Sequence, residues 1–462
     1  MLWWLIAVSV IVVLLVLSLS VYIVYMLSAE EEKDNSLLCK CIIILSVSLS
    51  FYNVLLLPFQ AAFSKEYPGI DVSWVWEVVV AASALLAFVI IPFALIHYET
   101  WDPNNPTSST HQLKMAIMGT ISVVVFLSGL FGILWAVEGS VMSTAGARDG
   151  TDDKGGTPTS DVPCGSFFSF LVALNTSVGW FFFAFFGGVG LIGAPFHSLQ
   201  TFLKRPRRIS IGEYETSRIK MCLESANLLE VGRKLEYESR GHGWLHLQNR
   251  RRLLIFKRRV HELEREFRYI EQCFRIQRVS VLKQYVLLSA SCFACILSIA
   301  WLLHIISYDL GYTHSYLNDI FVFLDKLMPM IGILLYASMT FYLMWCALVG
   351  CWTVGGNLAL FIVFPLEKKA TMLNALMLNT VLLLLASMAV VHLCVASLDS
   401  YAIDTSMKQV FHQDVARLWG VREVLAYSPY ALVAVATVTL FWLLIFSKHK
   451  VNDFENDEGV LL

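Results

Sequence analysis

FFSFLVALNTSVGWFFFAFFGGVGLIGA, residues Phe167–Ala194, runs for 28 residues without a charge, and Lys204, Arg205, Arg207 and Arg208 follow closely. As a helix it reaches about 42 Å at 1.5 Å per residue, more than the ~30 Å hydrocarbon layer of a bilayer. A closed barrel is the other structure that crosses lipid with its backbone satisfied, and it needs alternating rather than continuous apolarity. The segment therefore reads as a transmembrane helix, with the cations after it as its cytosolic flank.

Eight more stretches read the same way: Leu2–Leu27, Leu37–Leu57, Val75–Ile96, Met115–Ala136, Tyr285–Ile306, Leu327–Trp352, Met372–Val395 and Tyr430–Phe446. Composition agrees, with 57% hydrophobic and 15% charged residues and a mean hydropathy of +0.64, more apolar surface than one soluble core hides. The first stretch lacks a basic leader and a cleavage site, so it reads as a retained span. Leu327–Leu366 carries no charge and leaves two readings open: two spans, or one span followed by a re-entrant piece after Gly355-Gly356. Parity favours nine spans. With the basic segment in the cytosol, only Lys65, Arg148, Lys154, Lys326, Lys408, Arg417 and Arg422 face outward, leaving 27 of 34 basic residues inside. The expected fold is an all-α polytopic bundle, with its N-terminus outside or luminal and its C-terminus cytosolic. The expected divisions are residues 1–203 (five spans), 204–283 (a basic cytosolic helical segment), 284–447 (four spans) and 448–462 (an acidic cytosolic tail).

Within the basic segment, Phe256, Val260, Leu263, Phe267, Ile270 and Phe274 recur at intervals of four and three, a coiled-coil spacing. A shorter stripe, Ile219, Cys222, Ala226 and Leu229, precedes it, and Gly241-His242-Gly243 reads as the turn of an antiparallel helical hairpin. Two amphipathic helices packing on each other account for the pattern. The functional alternative is a docking platform for a cytosolic partner or anionic lipid, since Arg250, Arg251, Arg252, Lys257, Arg258 and Arg259 make a dense cationic patch. Nucleic acid is not expected, because no binding fold accompanies the charge.

Motifs for zinc hydrolysis, nucleotide cleavage, serine acyl transfer and dithiol chemistry are absent, so no enzyme activity, metal or cofactor is expected. Gly188, Gly190 and Gly193 fit a dinucleotide fingerprint, but inside an apolar span small residues serve close helix approach. The ten cysteines form no metal or disulfide pattern, and the sequon at Asn175 lies within a span. At membrane depth His304, His392, Asn374 and Asn379 are the polar groups that read either as interhelical hydrogen bonds or as the lining of a ligand cavity. Asn318, Asp319 and Asp325 read as helix caps and solvated charges.

The run Gly187–Pro195, continued through Phe202-Leu203-Lys204-Arg205-Pro206 to Ile211 and Tyr214, resembles the fifth-span hallmark of the lipocalin-interacting membrane receptor (LIMR) family, also called the limb-region membrane protein family. Ser298–Ile306, Leu317–Phe321 with Leu324-Asp325, and Met372-Leu373-Asn374 with Leu378-Asn379 extend the resemblance, which is nearest to the plant and protist branch. It implies nine spans and a large cytosolic loop between the fifth and sixth. It also implies a non-catalytic role in trafficking and partner binding: an endocytic receptor, escort or scaffold at the plasma or endosomal-lysosomal membrane. The partners implied are membrane lipid, a cytosolic or membrane protein, and a lipocalin-like or small lipophilic ligand. The alternative class is a small-solute transporter or channel, for example for a cobalamin-related vitamin. The tail adds an address: Asp457, Leu461 and Leu462 have the spacing of an acidic dileucine sorting signal.

Overall fold

The computed structural model describes the chain except residues 1, 30–36, 67–71, 101–108, 150–166, 204–208, 242–245, 278–280, 312–313, 355, 359–360, 364–365, 367–370, 419 and 459–462. At residues 2–6, 65–66, 109, 130, 134–149, 201, 236–241, 246–255, 272, 275–277, 281, 283–284, 329–330, 356–358, 361–363, 400, 413, 417 and 446–458 the backbone alone is described. The chain divides into two compact units, Met1–Pro195 with Ala294–Leu462, and Phe196–Phe293.

Among the described residues of the whole chain, nine helices are long and apolar enough to cross a membrane: Ala7–Leu27, Leu37–Ser64, Ser73–Glu99, Thr110–Ile133, Phe167–Gln200, Tyr285–Leu310, Ile331–Thr353, Leu373–Ser397 and Val421–Ile445. These are the nine stretches of the sequence reading, with shifted edges. The ninth starts at Val421 rather than Tyr430, because Pro429 is accommodated inside its helix. Pro329 instead opens the seventh, at the first helical position where its missing N–H costs no bond. The two readings of Leu327–Leu366 resolve to one span followed by a two-stranded hairpin, Gly356–Leu358 paired with Phe361–Val363.

The eighth span is the centre of its unit. Its sequence is apolar on every side, and 83% of its apolar window is buried, against 22% of the first span, 22% of the sixth and 17% of the ninth. Close approach to it relies on small residues. A Cβ on Gly179 of the fifth span would strike the Leu385 carbonyl of the eighth. Fifth and seventh spans meet glycine to glycine: a Cβ on Gly190 would run into the Cys346 carbonyl, and one on Gly350 into the Phe186 carbonyl. A helical carbonyl points one turn toward the C-terminus, so both clashes mark a single crossing point between Gly190 and Gly350.

In lipid, where apolar contact alone does not hold helices together, polar ties matter. Asn53 Nδ2 of the second span donates to Ser387 Oγ of the eighth at 2.8 Å and to Ser83 Oγ of the third at 3.1 Å. Trp301 Nε1 of the sixth donates to the Met339 carbonyl of the seventh at 3.2 Å. The first span is held by Tyr52, whose hydroxyl donates to the Val13 carbonyl at 2.7 Å, and by Ala29 N donating to the Thr371 carbonyl at 3.1 Å. Asn53→Ala is expected to lower stability in detergent by about 1–2 kcal/mol. Ser20→Ala, whose hydroxyl among the described residues bonds only to the Val16 carbonyl of its own helix at 2.9 Å, is expected to leave it nearly unchanged. Thermal unfolding of the two variants side by side makes the comparison.

Residues 398–420, between the eighth and ninth spans, form broken helix rather than loop: Asp399–Ala402, Ser406–Gln409, a π turn at Val410–Asp414 and a 3-10 turn at Val415–Arg417. Met407, Phe411 and Val415, four apart, are buried together. The segment is tied to the ends of other spans. Gln60 Nε2 donates to Ser406 Oγ at 2.6 Å, Ser64 Oγ donates to the Asp404 carbonyl at 3.2 Å, and Ser169 Oγ donates to Asp414 Oδ2 at 2.6 Å. It caps the end of the bundle where the second, sixth and eighth spans finish and the fifth begins.

Candidate functional site

The four polar residues singled out within the spans do not converge. Asn374 lies at the start of the eighth span, where its Oδ1 accepts from the backbone N–H of Ala375 at 2.7 Å. Asn379 is buried about 140° around the same helix, and His392 lies back on the Asn374 side but about 27 Å further along. Trp180 Nε1, which only donates, is 3.2 Å from His392 Nδ1, so the ring carries its proton on Nε2. Phe411 of the cap covers His392 edge-on, with ring centroids 4.9 Å apart.

His304 ends the regular part of the sixth span, just before a π-helical turn at Ile305–Leu310. Its Nε2 lies 2.9 Å from the Ser397 carbonyl and therefore bears the proton, while the buried Nδ1 has no hydrogen-bond partner among the described residues. Tyr308 stacks on the His304 ring at 5.3 Å, and Asp309 Oδ2 accepts from Ser397 Oγ at 2.7 Å. Lys408 pairs with Asp399 next to this group. The end of the sixth span is thus fixed to the eighth by polar contacts that the residues' positions in the sequence did not disclose.

The loop before the seventh span departs from expectation. The cap of helix Tyr316–Leu327 is Ser315, not Asn318; the Ser315 hydroxyl accepts from the Asn318 backbone N–H at 3.4 Å. Asp319 is a solvated charge as expected, 62% exposed and paired with the exposed His314 at 3.0 Å. Asp325 is not simply solvated: it meets the Tyr401 hydroxyl at Gly332, where a Cβ would strike both groups. Burial first, and then the Asp325 carboxylate, push the Tyr401 hydroxyl up from its ordinary range, so it remains a donor.

In the second unit, helices Ile211–Gly241 and His246–Gln277 pack antiparallel. Tyr214 stacks on Phe274 at 4.2 Å, Arg259 Nη2 donates to Glu224 Oε1 at 2.6 Å, and Phe256 covers Gly232. Of the second-helix stripe, Phe256 and Phe274 reach the first helix and Val260, Leu263 and Ile270 are half-buried, whereas Phe267 is 42% exposed. On the first helix the packed positions are Tyr214, Met221, Leu228 and Gly232, while Ile219 is 62% exposed and Leu229 57%. The expected stripe there was rotated about one residue, because the true face includes Gly232 and lacks a continuous apolar row.

Of the cationic patch, Arg250, Arg251 and Arg252 are described by backbone alone, in the first turns of His246–Gln277. Lys257, Arg258 and Arg259 are exposed; Arg258 lies 3.4 Å and Arg259 3.3 Å from Glu262. Glu224, ahead of Glu262, holds the Arg259 guanidinium above its ordinary range. The patch is thus partly self-neutralised. Asp457 lies in the helix Val421–Glu458 with only its backbone described, and Leu461 and Leu462 lie outside the described residues. Beside the helix seam, an open groove of about 810 Å³ has Met221, Phe256, Val260 and Leu263 on its floor and Arg218, Arg233, Glu264 and Arg268 at its edges. No group of histidine, cysteine and carboxylate residues among the described residues is arranged to hold a metal.

A model of the LMBR1-like membrane protein family matches residues 5–241, about half of the chain and including the fifth-span run. The chain belongs to the LMBR1-like membrane protein family. Similar proteins extend the likeness over nearly the whole length of this family member. A LIMR family protein of Dictyostelium discoideum is 24% identical over 475 residues, covering 91% of this chain and 93% of that one. One of Oryza sativa subsp. japonica is 25% identical over 457 residues, covering 89% and 90%, and one of Arabidopsis thaliana is 25% identical, covering 88% and 89%. No solved structure matches.

Proposed function

We propose that this LMBR1-like protein works by binding partners, as a receptor, escort or scaffold of the endocytic system, and that it catalyses no reaction. The observation that carries the reading is the contrast between its two units. In the bundle, the polar groups His304, His392 and Asn53 are engaged by neighbouring helices, and the central eighth span does not bring Asn374, Asn379 and His392 into one path. A conduit for a small polar solute needs such a path. The helical hairpin, by contrast, presents an open apolar groove with charged edges.

Counter-ion-free flux measurements on reconstituted vesicles test the reading against its rival. Expected is no uptake of cobalamin or small polar solutes above empty vesicles, with co-purification of a stoichiometric partner from native membrane. Saturable uptake by the purified protein alone overturns it.

The orientation in this reading has the N-terminus outside or luminal and the C-terminus cytosolic, supported by the placement of Lys and Arg. Cycling between the surface and endosomal-lysosomal membranes follows from the acidic dileucine spacing at Asp457, Leu461 and Leu462. Leu461→Ala with Leu462→Ala is expected to shift steady-state protein several-fold toward the plasma membrane. Surface biotinylation reads the shift, and an unchanged surface fraction removes the signal from the account.

A further inference from the structure

Resting on the partner-binding reading, we propose that the hairpin groove receives an amphipathic helix from an acidic protein segment, about four turns long. Two helices cannot enclose their apolar faces by themselves, and here the shortfall is concentrated on one side. Leu229 is 57% and Phe267 42% exposed beside the buried Met221 and the half-buried Phe256 and Leu263. A third helix laid along the seam completes the layer.

The charges select its sign. Glu264 and Arg268 on the second helix pair with each other at 3.3 Å and largely cancel. Arg218 and Arg233 on the first helix are both exposed at the groove and give it a positive edge. Fifteen residues separate them, about 22 Å along the axis, so carboxylates some four turns apart on the incoming helix face both guanidinium groups. A bilayer surface fits less well, because it requires a flat or convex apolar face, and this one is concave. A second copy of the hairpin brings the same positive edge against itself.

The test uses the full-length protein in nanodiscs of neutral phosphatidylcholine and a fluorescent peptide of about 18 residues. Leucines occupy one helical face of the peptide and glutamates flank it; a control peptide carries lysines in place of the glutamates. Expected is saturable anisotropy that weakens with salt, with binding of the lysine peptide roughly tenfold weaker or absent. Arg218→Glu with Arg233→Glu should weaken the glutamate peptide by at least about tenfold. Phe267→Ser should also weaken it, and both variants should melt at the parent temperature.

No binding of the glutamate peptide overturns the proposal, as does equal affinity for the two peptides or indifference to the double variant. So does a result in which Arg218 and Arg233 matter only for phosphatidylserine vesicles or for self-association. Each of these failures leaves the partner-binding reading standing if a native partner still co-purifies with the double variant. Solute uptake by the protein alone overturns that reading whatever the peptide does.

Discussion

Gly190→Ala is expected to cost about 3 kcal/mol or more, and Gly350→Ala about the same, because each methyl group would be driven into backbone on the facing helix. The contacted atoms are carbonyls of Cys346 and Phe186, which cannot rotate away as a side chain can. Relief requires the fifth and seventh spans to part, and parting opens the packing on both sides. Cys346, Ala347 and Leu343 on the seventh span and Phe183 and Leu191 on the fifth are all buried there. In lipid no hydrophobic driving force draws the helices back together, so the lost van der Waals contact is not replaced. Gly129→Ala supplies the comparison: nothing lies within 4 Å of its Cβ position, and alanine in an exposed helix favours folding by about 0.5–1 kcal/mol. The same chemical change should therefore have opposite signs at Gly190 and Gly129. Thermal unfolding in detergent, followed by size-exclusion of the surviving fraction, measures both; equal melting of Gly190→Ala and the parent would mean that the crossing is looser than its geometry.

That crossing shows how the fold was written in the sequence and where the writing stopped. Apolar runs of span length are a one-dimensional signal, and all nine were legible from it, as was the use of Gly188 and Gly190 for close approach; at Gly193, where a Cβ would meet only the Thr353 side chain at 3.9 Å, no such approach occurs. Which glycine meets which helix was not legible. Gly188 faces Leu432 and Val435 of the ninth span, and Gly190 faces the seventh, a distinction of two residues in one run. Asn53 was passed over because a lone amide in an apolar span has no local partner; Ser83 and Ser387 lie 30 and 334 residues away. The cap at residues 398–420 carried a readable sign in Met407, Phe411 and Val415, spaced four apart and buried, but the run is too short and too interrupted by charge to stand out beside the spans. The groove was half legible. The second helix declared its face, and the first concealed its own behind Gly232 and the exposed Ile219 and Leu223.

Met221→Asp is expected to open the hairpin, because Met221 is the buried anchor of the first helix, 7% exposed. The change removes apolar burial and leaves a carboxylate facing the second-helix stripe, a loss of about 3 kcal/mol or more. Leu263→Asp, at a half-buried position on the groove floor, should cost less, since its carboxylate can turn toward water through the open side. The order of the two variants therefore tests the packing phase itself. If the face ran through Ile219, Cys222, Ala226 and Leu229, Met221 would lie outside the seam and Met221→Asp would be the milder change. Hydrogen exchange on the full-length protein in detergent resolves the question by segment. Faster exchange is expected along Ile211–Gly241 and His246–Gln277 in Met221→Asp, with Leu373–Ser397 unchanged because it belongs to the other compact unit. Parent-like protection of both hairpin helices in Met221→Asp would mean that the seam, and with it the floor of the groove, is not formed by these residues.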